Sequence, residues 1–334
     1  MGDDVLGFMH GWIVEFAKCG DEVTVICLEE REHHLSDNVT VFSLGKEYGT
    51  SRVVRILRFV RYIVQKRNSY DAVFVHMNPE YMILGGIFWR LCGISAGLWY
   101  NHRRGGLRAR IAIALARRVF HTSPFAYAAR FKKAQSMPAG IDTEQFKPAA
   151  SAHSQMPVRI LSLGRFSPVK ELHIIVEALK LLAARGIQAA ADFYGEPTER
   201  DRTYALKLKT LAEPLRQKKL LRFLPGVPNA RAAAVYREHG IFVNATPRGS
   251  FDKTVLEAMA CKIPVVVCNE SFHRLVPDEL FFTEGDSHSL ADTLARVLAL
   301  PAQSRAELGA RLRDAVVREQ SLRLLVPKIL TALA

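Results

Sequence analysis

Apolar and polar positions along this chain switch between two spacings. Short unbroken apolar runs give way to longer stretches in which apolar residues recur every third or fourth position, the pattern of strand followed by helix. The stretch from Ile241 to Val267 shows it most clearly. Ile241, Phe242 and Val243 form a run suited to a buried parallel strand, and Thr246, Pro247 and Gly249 end it. Val255, Leu256, Ala258, Met259 and Ala260 then fall at helical spacing as far as Lys262, and residues 264–267 open the next strand. A loop that leaves a strand and opens a helix lies at the carboxyl edge of a parallel sheet. Backbone N–H groups and the helix dipole can receive an anion there.

The same alternation predicts an amphipathic helix over 6–18, then strands over 23–28, 39–43, 72–76, 97–100 and 118–121. Helices are expected near 51–67, 80–91 and 107–116. The chain therefore opens on a helix with no strand to feed it. Residues 147–156 are small and polar and read as a linker. A second α/β unit restarts with strands over 158–163, 190–194, 220–224, 241–244, 265–268 and 280–283. The expected division is a first domain over 1–148, a linker over 149–157 and a second domain over 158–318. A last helix over 319–334 is expected to pack back toward the first domain. A length of 334 residues suits two α/β domains.

Charge narrows the partners. With 46 Lys and Arg against 33 Asp and Glu, the net charge is +13, which points to nucleic acid, a membrane surface or a phosphorylated metabolite. Aromatic residues are not interleaved with the cations and no common nucleic-acid motif occurs, so a basic nucleic-acid-binding protein is the weaker alternative. No G-x-G-x-x-G follows a strand, which argues against a dehydrogenase. The cysteines, Cys19, Cys27, Cys92, Cys261 and Cys268, are odd in number and never spaced C-x-x-C. Neither a disulfide framework nor a zinc site is indicated, and a reducing cytoplasm fits. The start, Met1-Gly2-Asp3-Asp4, matches neither a secretory nor a myristoylation signal. Arg90 and Gly93 interrupt the apolar stretch Tyr81 to Tyr100, which reads as helix then strand. From Arg90 to Lys133 there are nine cations after the first, Arg103, Arg104, Arg108, Arg110, Arg117, Arg118, Arg130, Lys132 and Lys133, and no Asp or Glu. One reading is peripheral contact with an anionic membrane or a phosphate-bearing acceptor. The plain alternative is a solvated basic helix.

Four features carry chemistry. Gly164 directly after a strand permits a tight turn, with Arg165 and Lys170 placed to neutralise a diphosphate; the alternative is two solvated surface cations. Glu257 stands in Thr254-x-x-Glu257, which fits a capping box, or else presents a carboxylate to ribose hydroxyls. Arg248-Gly249-Ser250-Phe251-Asp252-Lys253 allows close backbone approach to a ligand, or is an ordinary strand-to-helix loop. His76 and His102, with the neighbouring Asn101, fall at strand ends of the first unit, where histidines are structural more often than functional.

Gly164-Arg165-x-x-x-x-Lys170, Tyr194-Gly195-Glu196, Phe223-Leu224-Pro225-Gly226 and the run from Leu256 to Val266 together resemble the carboxyl-terminal half of the GT-B glycosyltransferases of family 4. Order and spacing agree over about residues 158–300. The first half resembles the family more loosely, through Leu6-Gly7-Phe8 with Trp12, Asp71 to His76, and Gly140-Ile141-Asp142-x-x-x-Phe146. The resemblance implies an α/β GT-B fold of two Rossmann-like parallel-sheet domains facing a central cleft. It implies a retaining, metal-independent hexosyltransferase without a cofactor, working in the cytoplasm at the inner face of the membrane in cell-envelope glycan synthesis. The partners would be a nucleotide-diphosphate sugar and a glycan or lipid-linked acceptor. Arg165 and Lys170 would hold the diphosphate and stabilise the departing charge. Glu257 would bind ribose, Gly226 and Val227 would lie beside the base, and Gly164, Gly195 and Gly249 to Lys253 would approach the donor. His102 resembles a histidine that contacts the transferred sugar, Gly7 resembles a glycine of the donor loop, and His76 and Asn101 would line the acceptor side. Two departures stand out. The family commonly has a Glu eight residues before the ribose Glu, where this chain has Gly249, and Asp252 is the nearest substitute. The family also begins with a central strand, and this sequence is expected to begin just after it. Within the same fold, a nucleotide-sugar-binding protein or epimerase is the closest rival.

Overall fold

The computed structural model describes residues 7–149, 158–249 and 251–334. Ser250 and all but Ala149 of the expected linker lie outside the described residues. The chain divides into two compact units, one of residues 7–140 with Leu322–Ala334 and one of Ile141–Ser321.

The first unit runs α1 (Phe8–Cys19), β1 (Val23–Cys27), β2 (Val39–Ser43), α2 (Arg52–Gln65), β3 (Ala72–His76), α3 (Pro79–Leu91), β4 (Ser95–Trp99), α4 (Leu107–Leu115), β5 (Arg118–His121) and β6 (Ala134–Ser136). Every strand pairing is parallel, but the strands form two sheets, β1-β2 and β3-β4-β5-β6. Local sequence explains the helix ends. Ser51 caps α2 through the Val54 N–H, and Asn78 caps α3 through the Glu80 N–H with Pro79 in the first turn. At the other end of α4, the Lys133 ammonium donates to the carbonyls of Ala114 and Ala116, satisfying acceptors that a helix end leaves open. Strand β6, Ala-Gln-Ser, has no apolar run and was invisible to periodicity.

Two apolar layers sandwich the four-stranded sheet. On one side Phe59 and Ile63 of α2, Met82 and Trp89 of α3 and Ile113 of α4 pack with Val75, Leu98 and Val119. On the other, Trp12 of α1 packs with Trp99, Phe120 and the helix Leu322–Leu333. The Trp12 indole N–H donates to the Gly140 carbonyl at 3.1 Å.

The second unit contains β7 (Arg159–Leu163), α5 (Leu172–Ala184), β8 (Ala190–Tyr194), α6 (Arg202–Leu211), α7 (Glu213–Gln217), β9 (Leu221–Leu224), α8 (Asn229–Arg237), β10 (Ile241–Asn244), α9 (Lys253–Ala260), β11 (Val265–Val267), α10 (Ser287–Ala299) and α11 (Ala302–Gln320). The final helix, α12 (Leu322–Leu333), belongs to the first unit. The sheet is wholly parallel in the order β11-β10-β7-β8-β9. Its two edgeward partners on one side, β10 and β11, are buried along their length, as a strand covered on both faces must be. The strand expected over 280–283 does not form. Residues Asp278–Leu280 make a short 3₁₀ turn instead, and only Phe281 bridges to Val267, because Pro277 and the turn leave too little extended chain for a ladder. The chain enters and leaves this unit at neighbouring points, since the Ile141 N–H donates to the Gln320 carbonyl and Ile141 bridges to Ser321.

Asp192 of β8 is fully buried and ties three strands together. Its carboxylate accepts from Arg159 of β7, Arg222 of β9 and the ring of His239. Burial raises its pKa, but hydrogen bonds from Arg222, His239 and Arg159 outweigh that and hold it far below the usual carboxylate range. Replacing Asp192 with Asn should lower unfolding stability by about 2 kcal/mol, less than for a wholly buried pair because both arginines reach solvent. Urea denaturation measures it; an unchanged midpoint would show that the cluster holds nothing together.

Candidate active site

The strand order of the second sheet reverses between β7 and β10. Connections from these two strands diverge and leave a crevice at their carboxyl ends, the place where open parallel sheets bind ligands. The loops on its two sides are Gly164–Glu171, with the candidates Gly164, Arg165 and Lys170, and the segment from Ala245 to Asp252, with Gly249, Phe251 and Asp252.

Gly164, at the end of β7, and Gly195, at the end of β8, are forced by geometry. Gly195 has φ +150°, and a Cβ there would lie 1.9 Å from the Gly164 carbonyl oxygen. Only glycine permits so close an approach. The Gly164 N–H donates to Tyr194 at 2.9 Å and the Phe166 N–H to Glu196 at 3.1 Å, so the two loops continue the sheet beyond its strands. Arg165 is carried out on this extension and is exposed. Gly226 and Val227 follow β9 in the short connection to α8, at the same edge.

Lys170 crosses the crevice. Its ammonium pairs with the carboxylate of Asp252, which leads into α9. Asp252 also accepts from the Asn244 side-chain amide at 2.9 Å, and from the Thr254 hydroxyl at 2.9 Å and N–H at 3.3 Å, so it is the N-cap of that helix. Burial opposes the charged form, but Lys170, Asn244 and Thr254 prevail and hold Asp252 at about 2. The Thr254-x-x-Glu257 capping box does not form, because Asp252 occupies the cap and Glu257 points elsewhere.

Glu257 is buried, and its Oε2 accepts from the Tyr236 hydroxyl at 3.0 Å. Burial raises its pKa to about 7, against the hydrogen bond from Tyr236 and the charges of Lys253 and Lys170. Burial likewise lowers Lys253 to about 7, against the attraction of Glu257 one helical turn away. Gly249 is buried with φ +105°, and the Phe251 ring stacks on Phe272 with centroids 4.8 Å apart.

Gly164, Arg165, Lys170, Gly195, Gly226, Val227, Gly249, Phe251, Asp252, Lys253 and Glu257 thus share the second unit, most of them at its carboxyl edge. The remaining candidates lie in the first unit. Gly7 precedes α1. His76 packs among the rings of Phe8, Trp12 and Trp99, and Asn101 links β4 to β5 by accepting from the N–H groups of Thr122 and Ser123. His102 is exposed, its ring set edge-on to Tyr100. Sequence reasoning missed Asn244 and Tyr236. A polar residue closing an apolar strand was a usable signal for Asn244, whereas nothing in α8 marks Tyr236.

A family model described as "Glycosyl transferases group 1" matches residues 143–314. The chain belongs to the group 1 glycosyltransferases. It is 30% identical over 187 residues to the D-inositol 3-phosphate glycosyltransferase of Frankia alni, covering 51% of this chain and 46% of that protein. It is 26% identical over 192 residues to the putative colanic acid biosynthesis glycosyltransferase WcaL of Escherichia coli, covering 53% and 45%. The match therefore spans about half the length of these relatives. Among solved structures, Anabaena Alr3699/HepE in complex with UDP superposes with a TM-score of 0.79 at 17% identity, covering 99% of this chain and 97% of that one. Sucrose-phosphate synthase from Thermosynechococcus elongatus gives 0.76 at 20% identity, covering 97% and 91%. The group 1 glycosyltransferase has the GT-B fold expected for it.

Glu257 gives this edge a pH signature. A carboxylate whose folded pKa exceeds its ordinary 4.5 contributes stability that is fully present below 4.5 and lost as pH rises through about 7. Lys253 acts in the opposite sense above pH 7, so Glu257→Gln isolates the acid limb. Relative to that variant, the melting temperature of the wild type should fall by about 5 °C between pH 5 and 7.5. A parallel pair of pH profiles by calorimetry would contradict it.

Proposed function

We propose that this group 1 glycosyltransferase is a retaining, metal-independent hexosyltransferase whose donor is a nucleotide-diphosphate sugar, with uridine the first base to test. The observation that carries the reading is the carboxyl edge of the second sheet. Lys170 crosses the crevice there to a buried carboxylate at a helix N-terminus, and Arg165 stands exposed on the same loop as Lys170. Two of the similar solved structures hold UDP, which supports the choice of base.

In this reading Arg165, Lys170 and the backbone N–H groups opening α9 receive the diphosphate. When the bond between the anomeric carbon and the diphosphate oxygen breaks, negative charge grows on the leaving oxygen. Preset cations stabilise that charge without reorganising, and so supply what a metal ion would otherwise supply. The acceptor hydroxyl oxygen bonds to the anomeric carbon, and its proton passes to the departing diphosphate. Glu257 holds the ribose hydroxyls on Oε1 while Tyr236 engages Oε2. Asp252 is engaged in positioning Lys170 and capping α9, so it does not stand in for a sugar-binding carboxylate at position 249. Gly226 and Val227 flank the base. The sugar and donor-loop roles of His102 and Gly7 are proposed on the family resemblance, and the acceptor is a glycan or a lipid-linked saccharide.

A thermal-shift titration with UDP, GDP, ADP and their sugar conjugates tests this. One nucleotide family should stabilise the protein by about 2.7 kcal/mol at a hundredfold excess over Kd, and Arg165→Ala and Glu257→Ala should each abolish the shift. Stabilisation by none of them would overturn the donor reading. Nucleotide release that proceeds equally with and without any acceptor would instead favour a donor-binding protein or epimerase.

A further inference from the structure

Helices α2, α3 and α4 cover one face of the four-stranded sheet, and their outer sides are apolar where solvent is expected. On α2, Phe59 and Ile63 turn into the core, while Val53, Leu57, Val60 and Val64 turn outward. At 100° per residue these four fall within about 60° of one line along the helix. Leu57 is 64% exposed. On the other two helices Leu91, at the end of α3, is 83% exposed and Leu107, at the start of α4, is 72% exposed. Among the described residues of the second unit, the large apolar side chains so exposed are only Val169, Leu206 and Val317. Exposed apolar side chains aligned along one helix face, as on α2, are the kind that mark an interaction surface.

Charge identifies what it meets. From Ser51 to Tyr70 there is no Asp or Glu, and Arg52, Arg61, Lys66 and Arg67 are exposed on or directly after this helix. At the start of α4, Arg103, Arg104, Arg108 and Arg110 are exposed. The acid in this layer, Glu80, is already held by Arg52 and Arg108. Two other cations of the basic stretch between Arg90 and Lys133 are engaged elsewhere. Lys133 closes α4 and Arg118 donates to the Ala332 carbonyl. The basic stretch is thus only half of the surface, and α2, which precedes it, supplies the rest.

We propose that the outer face of α2, α3 and α4 docks on an anionic phospholipid bilayer, with Val53, Leu57, Val60 and Val64 entering the headgroup region and Arg52 and Arg61 meeting lipid phosphates. A bilayer interface satisfies both halves of the surface at once. A nucleic acid would satisfy the arginines and leave the valines and Leu57 wet. A symmetric pairing of two copies would set arginines against arginines. Among the described residues no helix is long and apolar enough to cross a membrane, so the association lies in the interface plane. The proposal stands apart from the donor reading, since it uses no residue of the second unit.

Co-sedimentation of the full chain with vesicles of phosphatidylcholine, alone or mixed with phosphatidylglycerol, tests it at low and raised salt. The wild type should pellet with the mixed vesicles only, and raised salt should weaken it. Leu57→Glu with Val60→Glu should weaken binding by about tenfold or more at either salt, and Arg52→Gln with Arg61→Gln should remove the salt-sensitive part. Leu57→Ser, a milder change, serves if the double variant melts early. Tryptophan placed by Val60→Trp should shift its emission to the blue on mixed vesicles. Wild-type protein left in the supernatant, equal binding to phosphatidylcholine alone, or unchanged binding by the Leu57 variants would overturn the proposal. So would a self-association of the wild type that the Leu57 variants abolish without any vesicle binding.

Discussion

The second unit depends on the carboxylate of Asp252. It satisfies the N-terminal N–H of α9, holds the side chain that closes β10 and receives the ammonium of Lys170 from the loop after β7. These are the two sides of the point where the strand order reverses. A parallel sheet opens a crevice there because consecutive helices go to opposite faces, and nothing in the sheet itself fixes how wide it stands. An ion pair across it does, and it does so through a group whose own position is set by helix capping. The cation therefore stands in a fixed place, and under the proposed function that is the condition in which a charge stabilises a leaving group most. The second buried acid, Glu257, is oriented from behind by a different helix, through Tyr236. Its neighbour Lys253 sits in the same dry environment, so both groups are pulled toward neutrality near physiological pH.

Much of this was legible in the sequence, for reasons that differ residue by residue. Strands β3, β5, β8 and β10 were found to the residue because short, mostly apolar runs between breakers have few other uses. Gly164 and Gly195 could be singled out from turn chemistry, although the reason Gly195 tolerates no side chain, the carbonyl of Gly164, is a contact between different strands. Pairings of that kind explain what could not be read. Thr254 and Glu257 obey a local capping rule, yet Asp252 takes the cap, since a competitor two positions earlier had a partner 82 residues away to hold it in place. Tyr236 carries no mark at all, because its importance lies in where α8 packs. The strand expected near Leu280 failed for a local reason: Pro277 and the 3₁₀ turn Asp278–Leu280 leave only Phe281 to bridge to Val267.

The first unit shows the division of labour between two faces of one sheet. The side holding α1 and α12 is aromatic and closed, with Trp12 set edge-on to Trp99 and tied to Gly140. The side holding α2, α3 and α4 mixes aliphatic side chains with rings, Phe59 lying against Tyr81 and Trp89, and keeps apolar side chains on its outer surface as well. Helices with apolar residues on both sides are ordinarily found between two layers. Here the second layer is solvent among the described residues, and the arginines that flank it set the sign of whatever replaces that solvent.

One connection has a bearing on how the chain acquires its shape. Ile141 and Ser321 lie side by side, and α12 returns to the unit that the first 140 residues began. The second unit is an insertion in the first. On a ribosome adding about 5–20 residues per second, Trp12 and Trp99 wait on the order of ten seconds or more after Gly140 is made before Leu325 and Ile329 exist to cover them. The insertion, contiguous in sequence, can finish folding in that interval, and the aromatic face of the first unit is the last part of the molecule to close.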